Sequence, residues 1–522
     1  MQLKNIGEVD SAASGVGKEL YRIGCVLLFM VSIMIFVNIM TEHAGSPSLL
    51  IIAAVIGGYM AINIGANDVA NNVGPVVGSM ALTMTGAIVI AAIFEATGAI
   101  VAGGDVVSTI KKGIIDPVLI NDSNTFIWLM MAALLAAAIW LNIATYLGAP
   151  VSTTHSIVGG VLGWGLAAGG LGIANWAVFG KIVASWVISP VLGGLIAAGF
   201  LYLIKRTITY QNDMIAAARK VVPLLIALMS WAFSTYLILK GLKKIWKVEF
   251  LTASLFGLAI AIGIFLLIRP LINKAANQTD NSKSSVNNLF TVPLVFAAAL
   301  LSFAHGANDV ANAVGPLAAI NDAIIHGGIA AKAAIPLWVM LVGALGIALG
   351  LTLYGPKLIR TVGSEITELD KMRAFCIAMA AAITVIIASQ LGLPISSTHI
   401  AVGGVFGVGF LREYLKHSYA KMIEEIKAHH GEHDPEKTEA FLLEFEQASI
   451  EVKGQLLKQL KTDAKRLQIT KHERKSLKKV YRKELVKRSH LYKIALAWVI
   501  TVPLSGLLAA MLYFTIRGML LP

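Results

Sequence analysis

The chain has 522 residues, 57% of them hydrophobic and only 14% charged, with a mean hydropathy of +0.74 and a net charge of +13. Soluble domains carry about 25% charged residues, so this balance excludes an ordinary soluble domain and predicts an all-α polytopic membrane protein. Cys25 and Cys376 both lie in apolar runs, which excludes a disulfide framework and leaves the redox compartment open.

Residues 1–20 are polar and read as a short tail. The first apolar run is internal, about a bilayer span long, and lacks a small-residue cleavage site, so no cleavable signal is expected. Apolar spans are predicted near 21–40, 49–66, 86–103, 126–148, 152–172, 181–204, 222–240, 248–268, 289–310, 330–354, 372–391, 395–412 and 491–517, about 12–13 in all. Each approaches the ~20 residues a helix needs to cross the hydrocarbon core. The stretches around 67–85 and 308–325 are interrupted by Gly, Pro and Asn. They read as irregular or re-entrant backbone, which is tolerated only where it is buried in protein or lines a cavity.

The chain repeats itself. Gly65-Ala66-Asn67-Asp68-Val69-Ala70-Asn71 returns as Gly306-Ala307-Asn308-Asp309-Val310-Ala311-Asn312. Pro150-Val151-Ser152-Thr153-Thr154-His155 returns as Pro394-Ile395-Ser396-Ser397-Thr398-His399, and Lys181-Ile182-Val183-Ala184-Ser185-Trp186 is echoed by Lys493-Ile494-Ala495-Leu496-Ala497-Trp498. The separations are 241, 244 and 312 residues, so the copies are expected to stay in step until the last interval. The excess there is a hydrophilic insertion over 412–490, whose 453–488 stretch holds 14 Lys and Arg against Asp463, Glu473 and Glu484. It reads as a solvated cytoplasmic helical insert, or more sharply as a contact for anionic lipid or a regulatory partner.

The expected organisation is a tail and extra span over 1–48, transport repeat 1 over 49–204, and linking spans with cytoplasmic loops over 205–288. Repeat 2 begins over 289–411, is interrupted by the 412–490 insertion, and ends with a last span over 491–522. With the insertion in the cytoplasm, the loops at 205–220, 269–288 and 357–371 fall inside, as the positive-inside bias requires. The N-terminus then lies inside and the C-terminus outside. Lys240, Lys243, Lys244 and Lys247 disobey and fall outside. Five crossings per repeat put the two copies in opposite orientations, the inverted-repeat arrangement of many secondary transporters.

An unpaired carboxylate at membrane depth costs several kcal/mol, on the order of 3 by insertion scales, yet the chain accepts one in each copy. Asn67, Asp68 and Asn71, with Asn308, Asp309 and Asn312, offer oxygen ligands of the hard kind that small cations prefer, and amide donors for an anion. A plainer reading is an Asx-rich turn with Asp capping a helix start; the doubling favours a site. Ser152, Thr153 and Thr154, and Ser396, Ser397 and Thr398, each follow a proline that can begin a helix. Hydroxyls and free backbone N–H groups then gather at a helix N-terminus, an anion cradle or simply an N-cap. His155 and His399 either carry protons or donate to a helix carbonyl. Glu95 is a lone intramembrane carboxylate, read as a coupling ligand or a local hydrogen bond; copy two has no acid at its aligned place, expected around 336–343.

The doubled Gly-Ala-Asn-Asp-Val-Ala-Asn phrase and the doubled Pro-[Val/Ile]-Ser-[Thr/Ser]-Thr-His element resemble those of the inorganic phosphate transporter family (PiT, also called PHO4) over about 49–204 and 289–517. The resemblance implies a symporter moving inorganic phosphate inward with sodium or protons, on an inverted-repeat helical fold, with substrate and cation between the repeats. By motif position it implies that Asp68 and Asp309, with Asn67, Asn71, Asn308 and Asn312, hold cation and substrate, and that the two Ser/Thr clusters hold phosphate. The Asn-Asp-Val-Ala-Asn form in both copies is similar to the branch coupled to sodium, whereas a His-Asp-Thr-Ala-Asn phrase marks the proton-associated branch. The span at 21–40 and the 412–490 insertion lie outside the resemblance.

The expectation is therefore a multi-pass protein of the cell membrane, the inner one in a Gram-negative cell. It is expected to be no enzyme, with no cofactor beyond the co-transported cation. Its partners are inorganic phosphate, sodium or a proton, and the bilayer, with a homodimer left open and no nucleic acid. The nearest rival is a sulfate or other oxyanion permease on the same fold. An intramembrane hydrolase or a passive channel would differ in giving a turnover product or non-saturating uptake.

Overall fold

The computed structural model describes residues 2–40, 47–115, 120, 122–149, 151–241, 248–326, 335–364, 369–430 and 488–520. Among these, the regular structure is helical throughout. A peripheral α1 (Gln2–Met40) precedes the first repeat: α2 (Pro47–Asn67), α3 (Val69–Gly78), α4 (Met84–Ala102), α5 (Gly104–Lys112), α6 (Ser123–Leu147), α7 (Thr153–Gly169) and α8 (Trp176–Ile204). The hairpin α9 (Met214–Gly241) and α10 (Phe250–Asn277) and the short α11 (Lys283–Leu289) link it to the second. There follow α12 (Thr291–Asp309), α13 (Ala311–His326), α14 (Leu337–Ser364), α15 (Lys371–Gln390), α16 (Ser397–His430) and α17 (Arg488–Leu520).

Eleven helices among the described residues are long and apolar enough to cross a membrane, fewer than the thirteen runs in the sequence. The 152–172 run folds as α7, whose 17 residues are too few to span alone. The stretches around 67–85 and 308–325 are not irregular backbone. They are largely helix, α3 and α13, each separated from the helix before it by one residue, Asp68 and Val310. The hydrogen bonds simply tighten there, with Asn71 N donating to Asp68 O and Ala313 N to Val310 O. Asn and Gly cost at most about 1 kcal/mol each in a helix, less than the several kcal/mol of an unmade backbone bond in apolar surroundings. The helix therefore continues through the polar phrase.

The repeats interlock by exchange. Gly98 of α4 lies against the backbone of Phe303 in α12, and Gly306 against the backbone of Glu95. Reciprocally, Gly350 of α14 faces the Ile62 carbonyl of α2, and Gly65 faces that of Ile347. The helices α7 and α17 meet at Gly163 and Gly506, and α8 and α16 at Gly194 and Gly407. These small-residue crossings bring backbones together where no hydrophobic drive exists between helices in lipid. They also correct the register. Glu95 matches Ile347 and Gly98 matches Gly350, a separation of 252 residues, so copy two falls out of step between Asn312 and α14 and regains 244 before Pro394. Copy two does lack the acid, but its place is Ile347 rather than 336–343.

Two turns set the entry to α7 and α16. Gly148 (φ 72°) ends α6 and Gly392 (φ 65°) follows α15, both left-handed, a conformation glycine adopts without strain. Each turn is closed by a bond from the residue after the glycine, Ala149 N to Ala144 O and Leu393 N to Ala388 O. At the other end of α6, Asp122 caps by accepting from Asn124 N and Thr125 N. The Thr125 N–H first, with its hydroxyl, holds this carboxyl below its usual range. The cap is therefore intact at neutral pH and lost only as pH falls through that lowered range. Asp122→Ala is expected to cost about 1 kcal/mol of stability and leave transport kinetics unchanged, as thermal unfolding and uptake assays would show.

The 431–487 part of the insertion, its side chains from 416 on, and Lys243, Lys244 and Lys247 lie outside the described residues.

Candidate functional site

The two polar phrases and the two Ser/Thr clusters converge on one buried place. Asn67, Asp68, Asn71, Asn308, Asp309, Asn312, Ser152, Thr153, Thr154, Ser396, Ser397 and Thr398 are all at most 2% exposed, so an unpaired polar atom there calls for an explanation. Asn67 bridges to the approach to α7: its amide donates to Thr145 Oγ1 (3.0 Å) and Ala149 O (3.2 Å), and its oxygen accepts from Val151 N (3.2 Å). Asn308 does the same for α16, donating to Ser389 Oγ (3.0 Å) and Leu393 O (3.3 Å). These two residues lock each helix break to the helix start beside it.

Asp68 joins the repeats. One carboxylate oxygen accepts from Thr153 Oγ1 (2.5 Å) of its own repeat, the other from Thr398 Oγ1 (3.0 Å) of the second. Asp309 accepts from Ser397 Oγ (3.1 Å) on one oxygen, which also lies 3.0 Å from His305 Nε2. Asn71 donates to Asp68 O and Thr398 Oγ1, while Asn312 donates to Thr153 Oγ1 and Thr154 Oγ1. Thr154 in turn donates to Ile395 O (2.8 Å), tying the two helix starts together. Ser152 and Ser396 are caps, accepting from His155 N and His399 N. The first N–H groups of α7 and α16 have no intrahelical acceptor, and both helix ends present positive dipole to the same place.

Two groups that sequence reasoning passed over complete the site. His305 Nδ1 lies 2.7 Å from Glu95 Oε2, and Asn72 donates to Glu95 Oε1 (2.8 Å); all three are fully buried. Glu95 is thus held by a partner on each oxygen. The places equivalent to His305 and Glu95 are Ile64 and Ile347, so one crossing carries an acid–imidazole pair where its counterpart is apolar. An ionisable residue inside the apolar run ending at Gly306 is itself a signal, but its absence from copy one hid it from a search for repeats.

What the site lacks is donors. Asn71 Oδ1, Asn72 Oδ1, Asn308 Oδ1 and Asp309 Oδ1 are buried acceptors with no hydrogen-bond partner. Their orientation is fixed, because each amide nitrogen donates to a carbonyl or carboxylate that can only accept. Ligand atoms of Asp68, His305 and Asp309 lie within 4.8 Å of one another. Two carboxylates at that separation repel by roughly 3 kcal/mol at an effective dielectric of about 20. Unpaired acceptors around facing carboxylates are chemistry for a hard cation, and the two helix starts beside them are chemistry for an oxyanion.

His155 and His399 are buried one turn into α7 and α16, each three residues after its capping serine. His155 stacks on Trp186 with ring centroids 3.6 Å apart, and His399 on Trp498 at 3.4 Å.

Comparison with known proteins points the same way. A family model described as the phosphate transporter family matches residues 64–509. A candidate phosphate permease of Helicobacter pylori (strain J99) is 55% identical over 98% of both chains. One from Pyrococcus furiosus is 41% identical over 70% of this chain and 88% of its own. A solved structure of a sodium-dependent phosphate transporter superposes with a TM-score of 0.72 at 32% identity, covering 91% of this chain and all of that one.

Proposed function

The chain belongs to the phosphate transporter family, and from that premise we propose that it imports inorganic phosphate with sodium by alternating access of two inverted repeats. Three orphaned amide oxygens, with the orphaned Asp309 Oδ1 and the Asp68 carboxylate, carry the sodium reading. A proton needs one basic atom, whereas a sodium ion needs several oxygens at once, and the site offers several. Asp68, Asp309, Asn71, Asn312 and the open oxygens of Asn72 and Asn308 hold the cation; Asn67 and the amide of Asn308 fix its walls. The helix starts at Thr153, Thr154, Ser397 and Thr398 aim backbone N–H groups at phosphate, while their hydroxyls, given to Asp68, Asp309 and the Ile395 carbonyl, tie that cradle to the carboxylates, and Ser152 and Ser396 hold the helix starts in shape. The cation offsets the carboxylates, without which the anion would meet two like charges. That mutual dependence is what couples the two fluxes.

The reciprocal helix crossings support the inverted arrangement, in which one repeat can rock against the other around a fixed site. The deciding experiment is radiolabelled phosphate uptake into proteoliposomes with sodium and proton gradients imposed in turn. Saturable uptake driven by the sodium gradient is expected; uptake driven by protons in sodium-free buffer transfers the coupling to the proton. Thr153→Ala removes a hydroxyl from the cradle and from Asp68, and is expected to raise the phosphate KM about tenfold, or ~1.4 kcal/mol. An unchanged KM with less protein in the membrane would reduce Thr153 to a structural contact.

A further inference from the structure

The tryptophans of the echoed Lys-Ile-x-x-x-Trp element have no part in the site, yet they end a column of four rings that crosses from one repeat to the other. Trp186 of α8 stacks on His155 of α7 at 3.6 Å and 25°. His155 meets His399 of α16 at 4.4 Å and 51°, and His399 stacks on Trp498 of α17 at 3.4 Å and 23°. In rings the column is symmetric about the His–His contact.

In hydrogen bonds it is not. At one end, His155 Nδ1 lies 2.7 Å from Ser152 Oγ, and Trp186 Nε1 donates to Pro394 O (3.3 Å), reaching into the other repeat just before Ser396. At the other end, neither nitrogen of His399 makes a well-formed hydrogen bond, its one polar approach being to the Trp186 backbone of the first end, and Trp498 Nε1 has no partner. The sequence supplies the same Ser, His and Trp to both ends, and both serines cap their helices, but only one end engages its ring nitrogens. A buried donor left unpaired is costly, and nothing in the residue types explains why this end bears the cost rather than the other.

We propose that the column is a two-position latch between the repeats, and that Trp186 and Trp498 are positioning residues which set the facing of the site. In the state seen here the Ser152–His155–Trp186 end is engaged; in the opposite-facing state the Ser396–His399–Trp498 end takes the equivalent bonds and the first end releases them. Because the two ends exchange like for like, the two states stay close in energy, as a transporter requires. The latch acts on the two helix starts through their capping serines, so each switch re-aims one cradle. This rests on the alternating-access reading above, although one of its two readouts needs no transport.

The test uses Trp186→Phe and Trp498→Phe, which keep an aromatic ring to stack on each histidine while removing the indole N–H together with its five-membered ring. Phosphate KM is measured from a defined side in oriented proteoliposomes. The two variants are expected to shift it in opposite directions by about threefold each, because apparent affinity follows the population of the state open to that side. The double variant is expected to return toward the wild-type value. Shifts in the same direction, or a double variant worse than either single one, would overturn the latch. Hydrogen exchange without phosphate gives the second readout: Trp186→Phe frees the Pro394 carbonyl and is expected to loosen peptides at the start of α16, and Trp498→Phe, through the exchanged bond, those at the start of α7. Opposite exchange changes in a protein that takes up no phosphate would sustain the latch and remove the phosphate reading. Identical exchange in both variants would remove the latch alone.

Discussion

Asp68→Asn and Asp309→Asn are each expected to lower phosphate uptake by about a hundredfold or more, equivalent to ~2.7 kcal/mol of lost binding or barrier stabilisation, while the protein remains folded. Asparagine keeps one acceptor oxygen at each position, for Thr153 or Thr398 at 68 and for Ser397 at 309, and presents an NH2 donor in place of the other oxygen, which a threonine hydroxyl at 68 can turn to accept. It removes the charge at almost unchanged shape. Removing one of two facing buried carboxylates also relieves their repulsion, so the variants are expected to melt no lower than wild type in sodium-free buffer. Sodium is expected to raise the wild-type melting temperature, as any ligand of the native state does, and to leave both variants unmoved. A variant that loses uptake yet still gains stability from sodium would detach that carboxylate from the cation.

His305→Ala carries the second large effect. It leaves Glu95 buried without its imidazole and takes the basic group from beside Asp309. Breaking one side of a buried pair costs about 3–5 kcal/mol, a large part of the stability of a typical domain. Thermal unfolding in detergent and the yield of monodisperse protein measure it. The equivalent crossing shows how to repair the damage, since Ile64 and Ile347 stand where His305 and Glu95 do. Glu95→Ile with His305→Ile is therefore expected to recover most of the lost stability, while uptake stays impaired because Asp309 has lost its neighbour. A double variant as unstable as His305→Ala alone would mean that the pair stabilises through a wider network than these two side chains.

The site was more legible than its frame. Polar side chains in apolar runs have nowhere to go but toward each other, so the doubled phrases marked the convergence of Asp68, Asp309, Thr153 and Thr398 before any coordinates. The Ser and Thr clusters were visible as helix starts because a proline precedes each. The path between these landmarks was not visible. Composition made 67–85 and 308–325 look unwound, whereas the surrounding apolar medium forces backbone bonding on residues that dislike helices. Matching motifs fixed the register only at the motifs, and α14 slides against that expectation because the lengths between landmarks differ. His305 and Asn72 were overlooked for a related reason: they belong to one copy, and a comparison of copies discards what is not shared. The Trp186 and Trp498 echo was noticed without its purpose, since ring stacking across repeats leaves no spacing rule in either segment.

The exchanged crossings also bear on how the chain is made. The first repeat leaves synthesis with Gly65 and Gly163 bare, because the helices that cover them, α14 and α17, come long afterwards. Asp68 likewise enters the bilayer before Thr398 exists to meet it. The newborn half must therefore wait in lipid with its grooves and its acid uncovered. Maturation then depends on contacts of very high sequence separation, the slow kind, and completes only when the final helix slots into the first repeat.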